Sequence, residues 1–281
     1  METLKDKNVL VTGAGRGIGK RLALGLAAAG AKIGLLARSK AELDLAKLEI
    51  EHSGGAALVL SCDVRDFNDV ARAVERMRQQ FGGTHKLICA AGIQGPIGPL
   101  AELKPKAWAD TIETNLIGVM HVCHAVLPEM TARRSGKIIA MAGGGSAYPR
   151  PNFTAYAAAK TGLIRFMETL AHEVRDANVQ VNCMGPGGVY THMTDEILQA
   201  GARAGQREIE EAERIRRTGG SPFEEQLELA TFLASDRSNH VSGKFLHIGD
   251  RWKRLERMNM NPEVFTLRRV LKAGRAESWP E

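Results

Sequence analysis

A chain of 281 residues suffices for one large domain or at most two, and 44% apolar with 25% charged content is ordinary for a soluble globular protein. A net charge of +6 and a pI near 9.2 invite a nucleic-acid partner. The cations are dispersed, however, and aromatics make up only 5%, so stacking platforms for bases are scarce and anionic small molecules are the expected partners.

In chain order, short apolar runs alternate with helical patterns. Strands are expected at 8–13, 31–38, 56–64, 86–92, 136–143 and 179–187, with a short seventh at 243–250. Helices are expected at 17–29, 39–54, 70–82, from about 108 to 130, and from Tyr156 to about 177. Near-continuous apolar strands separated by helices imply a parallel sheet covered on both faces, an α/β doubly wound (Rossmann) fold. Residues 1–250 form that single domain, with no Pro/Gly/Ser linker and no internal repeat. Residues 192–220 are polar and helix-prone, and follow a strand end where a lid would sit. Residues 251–281 form a basic C-terminal extension whose Trp252, Phe265, Leu267 and Val270 are too apolar for a free solvated segment.

The longest apolar run, LALGLAAAGA, falls short of the roughly 18 residues of a membrane span. The opening METLKDKNVLVTGAG passes from charged residues straight into a strand, without a secretory leader, so a cytoplasmic protein is expected. Cys62, Cys89, Cys123 and Cys183 form no CxxC pair and lie in apolar segments, as buried free thiols would. The HVCH run at 121–124 lacks two further zinc ligands and is expected to pack as core; no metal site is expected.

The first strand ends in TGAGRGIGK, where Gly13, Gly17 and Gly19 permit a tight turn and present a helix N-terminus to an anion. Tyr156 and Lys160, four residues apart in an alanine-rich helix, project from one face, a phenol beside an ammonium that suits proton transfer. TGAGRGIG, CAAG at 89–92, NLIG at 115–118, YAAAK at 156–160 and PGGVYT at 186–191 occur in that order. Together they resemble the successive motifs of the short-chain dehydrogenase/reductase family, over about residues 5–250.

The resemblance implies a hydride transfer between nicotinamide and a carbonyl or alcohol, by an enzyme that usually assembles as a homodimer or homotetramer. It implies a cofactor site built from Gly13, Arg16, Gly17, Ile18 and Gly19, then Asp63 and Val64 on the adenine side, then Ala90, Ala91 and Gly92. Pro186, Gly187, Val189 and Thr191 would line the nicotinamide carboxamide side. Family members that prefer NAD carry an acidic residue at the end of the second strand, but Ala37 stands there, followed by Arg38. Arg38 and Arg16 would suit the 2′-phosphate, which makes NADP(H) the expected cofactor rather than NAD(H).

In catalysis, the resemblance makes Tyr156 the proton donor, Lys160 the group that lowers its pKa and holds the ribose, and Asn115 the anchor of a water leading to Lys160. One part is missing. The family serine that bonds the substrate oxygen lies thirteen residues before the tyrosine, and that position is Gly143. Ser146, or the amides of Gly144 and Gly145, would have to replace it. A serine restored at 143 should help simple ketones if the loop is ordinary, and should intrude if the glycine makes room for something larger. The alternatives are a cofactor-binding sensor or scaffold without turnover, and an epimerase or dehydratase that oxidises and re-reduces its substrate.

Overall fold

The computed structural model describes residues 4–257 and 264–268. Strands β1 (Asn8–Thr12), β4 (Lys86–Cys89), β5 (Gly136–Met141) and β6 (Val179–Gly185) are buried at every residue, which accounts for their largely apolar sequence. Polar exceptions such as Asn8, Lys137 and Asn182 are buried with hydrogen-bond partners. With β2 (Lys32–Ala37), β3 (Ala56–Ser61) and β7 (Phe245–His247) they form one seven-stranded sheet, ordered β3-β2-β1-β4-β5-β6-β7. All six pairings are parallel. The strand order reverses between β1 and β4, so their C-terminal ends open a crevice, the usual ligand position of a doubly wound sheet.

Helices α1 (Gly17–Ala28), α2 (Lys40–His52) and α9 (Phe223–Ala234) cover one face. The other carries α3 (Phe67–Phe81), α5 (Gly118–Arg133) and α6 (Thr154–Glu173). Local signals explain several ends. Ser39 accepts from Glu42 N to start α2, Asp66 accepts from Asn68 N and Asp69 N to start α3, and Gly82 (φ 83°) stops α3.

The strand ends at 90–92, expected as part of β4, leave the ladder because Ala90 N and Ala91 N donate to Thr12 Oγ1, each at 3.1 Å. The helix expected from about 108 to 130 is not continuous: α4 (Pro105–Ile112) passes through a π-turn at Glu113–Ile117 into α5. Such turns are frequent at functional sites, and this one carries Asn115. Sequence periodicity gave no separate place to α9, whose Leu227 packs so closely on α1 that a Cβ at Gly25 would meet its Cδ1 at 2.6 Å. Residues 192–220 are helical as expected, as α7 (His192–Ala200) and α8 (Gln206–Thr218).

HVCH is core only at its centre. Val122 and Cys123 are buried, whereas His121 bonds Val64 O through Nδ1 at 2.9 Å and the exposed His124 stacks edge-on against Phe67. The described part of the extension docks on its own chain: Trp252 and Leu255 are buried, with the Trp252 ring 5.2 Å from Phe232 of α9. Phe265 O accepts from Phe245 N at 2.8 Å, beside β7, and Leu267 O accepts from Arg165 of α6 at 2.6 Å. Val270 lies outside the described residues. No described helix is long and apolar enough to cross a membrane.

Candidate active site

A cavity of about 800 Å³ opens at the β1/β4 crevice. Gly13, Arg16, Gly17, Ile18 and Gly19 line it from the first loop, and Arg38 from the end of β2. Asp63 and Val64 enter after β3, Ala90, Ala91 and Gly92 after β4, and Thr191 at the start of α7. The loop needs its glycines. Gly13 (φ 67°) and Gly17 (φ 58°) are left-handed, and a Cβ at Gly13 would meet Ala90 O at 2.8 Å. The N-cap Arg16 makes no side-chain cap bond, so the first-turn amides of α1 are left for an anion, as a dinucleotide pyrophosphate requires.

Two side chains in this wall escaped sequence reasoning. Glu42 packs against Gly15 and lies 4.0 Å from Arg16; its only sequence signal was the helix-starting S-x-x-E of Ser39 and Glu42. Arg65 clasps Asp63, with Nη2 2.6 Å from Oδ2 and Nε 3.1 Å from Oδ1, and holds that carboxyl below its ordinary pKa. Asp63, expected to face adenine, is thus already engaged by Arg65.

Beyond Gly92 the reaction groups are buried. Lys160 is 4% exposed and donates to Met141 O at 2.8 Å; burial brings its pKa down to about 8. Asn115 Oδ1 accepts from Ile93 N at 2.9 Å and its Nδ2 donates to Ile93 O at 2.8 Å, clamping the strand exit to the π-turn. Gly92 brings these elements together, since a Cβ there would lie 3.1 Å from Asn115 Oδ1 and 3.8 Å from Lys160 Nζ. Tyr156 is also buried, one α6 turn before Lys160, with the ammonium 5.7 Å from its ring. Pro186 is buried, Gly187 packs against Ser221 and Ile248, and Val189 bridges to Gly220, so these three form the base of the lid rather than the cavity wall.

The sequence profile of the short chain dehydrogenases matches residues 7–201. The 3-oxoacyl-(acyl-carrier-protein) reductase FabG of Escherichia coli (strain K12) is 36% identical over 244 residues, which cover 87% of this chain and 96% of that one. A gluconate 5-dehydrogenase from Burkholderia cenocepacia, solved with NADP and tartrate, superposes with a TM-score of 0.77 at 30% identity, over 87% of this chain and 94% of its own. An NAD+-bound xylitol dehydrogenase gives a TM-score of 0.80 at 29% identity, over 88% and 99% of the two chains.

The chain belongs to the short-chain dehydrogenase/reductase family.

This family member is therefore an oxidoreductase that transfers hydride to or from a nicotinamide cofactor. It departs from the family's usual site at Gly143. A Cβ there would overlap the Tyr156 hydroxyl, with ring carbons Cε1 and Cζ at 3.0 Å. The phenol occupies the volume that a serine side chain would fill. Ser146 does not aim at that volume: its hydroxyl donates to Gly143 O and accepts from Gly143 N at 3.0 Å, closing the loop on itself. The expected depression of the tyrosine pKa is also reversed. Burial raises Tyr156 above the ordinary phenol value, and the charge that opposes this is the Arg150 guanidinium, not Lys160. An apolar cluster of Phe153, Tyr156, Ile197, Ala204 and Ala212 closes the lid over the phenol.

Proposed function

We propose that this protein is an NADP-dependent carbonyl reductase or alcohol dehydrogenase. The observation that carries the reaction class is the pairing of Tyr156 and Lys160, both buried on one face of α6, with Lys160 next to Gly92 of the cavity wall. When bound, the nicotinamide supplies the hydride in reduction and accepts it in oxidation. Tyr156 holds the phenolic proton that balances the hydride, giving it to the carbonyl oxygen as the alcohol forms and taking it back in reverse. Lys160 keeps an ammonium, held by Met141 O, within reach of the cofactor side of Gly92. Asn115 keeps the chain after β4 in register with the π-turn, and the apolar lid excludes water from the proton transfer.

NADP(H) is favoured by Arg38 and Arg16, which both line the cavity, and by Ala37, which offers no carboxylate to a ribose 2′-hydroxyl. The two related structures described above are divided, the gluconate 5-dehydrogenase being named with NADP and the xylitol dehydrogenase with NAD+. We also expect assembly as a homodimer or homotetramer. Titration of NADPH and NADH by nicotinamide fluorescence, followed by a panel of ketones and alcohols, tests the proposal. Tighter NADH binding overturns the cofactor assignment, and no turnover with any carbonyl or alcohol overturns the reaction.

A further inference from the structure

The lid and the catalytic face meet at one ion pair. Arg150, on the loop between β5 and α6, directs Nε (3.1 Å) and Nη2 (2.7 Å) at a single oxygen, Glu208 Oε2, in the first turn of α8. Both side chains are largely buried, 13% and 21% exposed. The guanidinium lies 3.9 Å from the Phe153 ring centroid and 5.6 Å from that of Tyr156. The glycine run also lies close by, where a Cβ at Gly144 would be 3.7 Å from Arg150 Cζ. A planar cation thus stands near the Tyr156 ring, next to the Gly144–Gly145 turn.

Stability does not explain this arrangement. The desolvation of a buried pair largely cancels its Coulombic gain, and well-packed apolar residues would serve the lid cluster at least as well. The geometry is also not the strongest available to arginine, because both N–H groups converge on one oxygen. The parallel fork, two N–H groups on two carboxylate oxygens, is unused. A second carboxylate approaching in the guanidinium plane can take that fork in exchange for Glu208. The cation stays paired throughout, so the exchange leaves no bare buried guanidinium.

We propose that Arg150 is a specificity-determining residue that binds the carboxylate of an oxo- or hydroxy-acid substrate, and that Glu208 holds the place of that carboxylate from the closed lid. The proposal rests on the carbonyl/alcohol reading above. The short distance between the guanidinium and the Tyr156 ring limits the substrate to acids whose carboxylate lies a few bonds from the reacting carbon.

The test uses the full-length protein with NADPH and two pairs of probes, acetoacetate and 4-oxopentanoate against their methyl esters. Malonate binding, followed by thermal shift and calorimetry in the presence of NADPH, gives a readout independent of turnover. The wild type should favour each acid over its ester by roughly 10–150-fold in kcat/KM, the range of a charge-assisted contact. Arg150→Met should abolish that preference through KM and abolish malonate binding. Arg150→Lys, which keeps the charge without the fork, should retain part of both and serves if the methionine variant does not fold. Glu208→Gln should lower KM for the acids more than for the esters, because the internal competitor is weakened. Equal use of acid and ester by the wild type, or malonate binding unchanged in a folded Arg150 variant, overturns the proposal and leaves a simple lid latch. If neither these probes nor the panel of ketones and alcohols is turned over but malonate binding still depends on Arg150, the reductase reading fails and the carboxylate site stands.

Discussion

Gly143 and Tyr156 share one volume: a Cβ on the glycine would overlap the tyrosine hydroxyl. The missing family serine is therefore not simply absent, because its space has been taken by the phenol. Gly143→Ser should intrude rather than restore, destabilising the fold by about 1–3 kcal/mol as other overpacked sites do and reducing turnover. Thermal melts and initial rates check this; a variant of wild-type stability with faster ketone turnover would show that the phenol yields freely. Ser146→Ala should lose about 0.5–1.5 kcal/mol of loop stability and little of kcat, since its hydroxyl bonds Gly143. A loss near 10²-fold in kcat would instead mean that the hydroxyl acts on substrate.

Cofactor choice should follow the end of β2. Arg38→Asp removes a guanidinium from the cavity wall and adds a carboxylate there. NADPH affinity should fall by roughly 10–150-fold while NADH affinity holds or improves. Fluorescence titration of both cofactors reads the ratio directly, and an unchanged ratio would remove Arg38 from the recognition of the 2′-phosphate.

Tyr156→Phe should lower turnover by about 10²–10⁴ and leave NADPH binding nearly intact, because the phenol serves proton transfer. Lys160 adds a dependence on pH. Burial holds its folded pKa near 8, below the ordinary 10.5, so the unfolded chain binds more protons between those values. The lysine's penalty on stability is thus fully present below about pH 8 and is relieved as pH rises toward 10.5. Lys160→Met should be inactive yet flatten the difference in denaturation midpoint between pH 7 and pH 10. Identical pH slopes in the two proteins would contradict a buried, charge-bearing Lys160.

The described part of the extension contributes to the core. Trp252→Ala removes a ring that is 3% exposed and packs on Phe232, and should lose about 3–5 kcal/mol. Truncation after Gly249 should lower the melting temperature further, since it also removes the contacts of Phe265 and Leu267 beside β7 and α6. An unchanged melt in the truncated protein would show that these contacts carry no stability.

What the sequence determined by itself was local or periodic. The alternation of apolar strands and helices dictated a doubly wound sheet, because strands buried on both faces are predominantly apolar. The phosphate loop was legible because its glycines are contiguous with the strand and helix they join, and the Tyr156–Lys160 pair because residues four apart share a helix face. Tertiary structure alone decided the rest. Glu42, Arg65 and α9 carry ordinary helix or surface signals, and only packing brings Glu42 to Gly15 and Leu227 to Gly25. Arg150 and Glu208 are separated by 58 positions, and no local pattern announces that the lid folds one onto the other. The role of Gly143 was equally hidden, since a glycine specifies room but not its occupant. Which group fills that room depends on how α6 lies against β5, a long-range packing outcome that places the Tyr156 hydroxyl there.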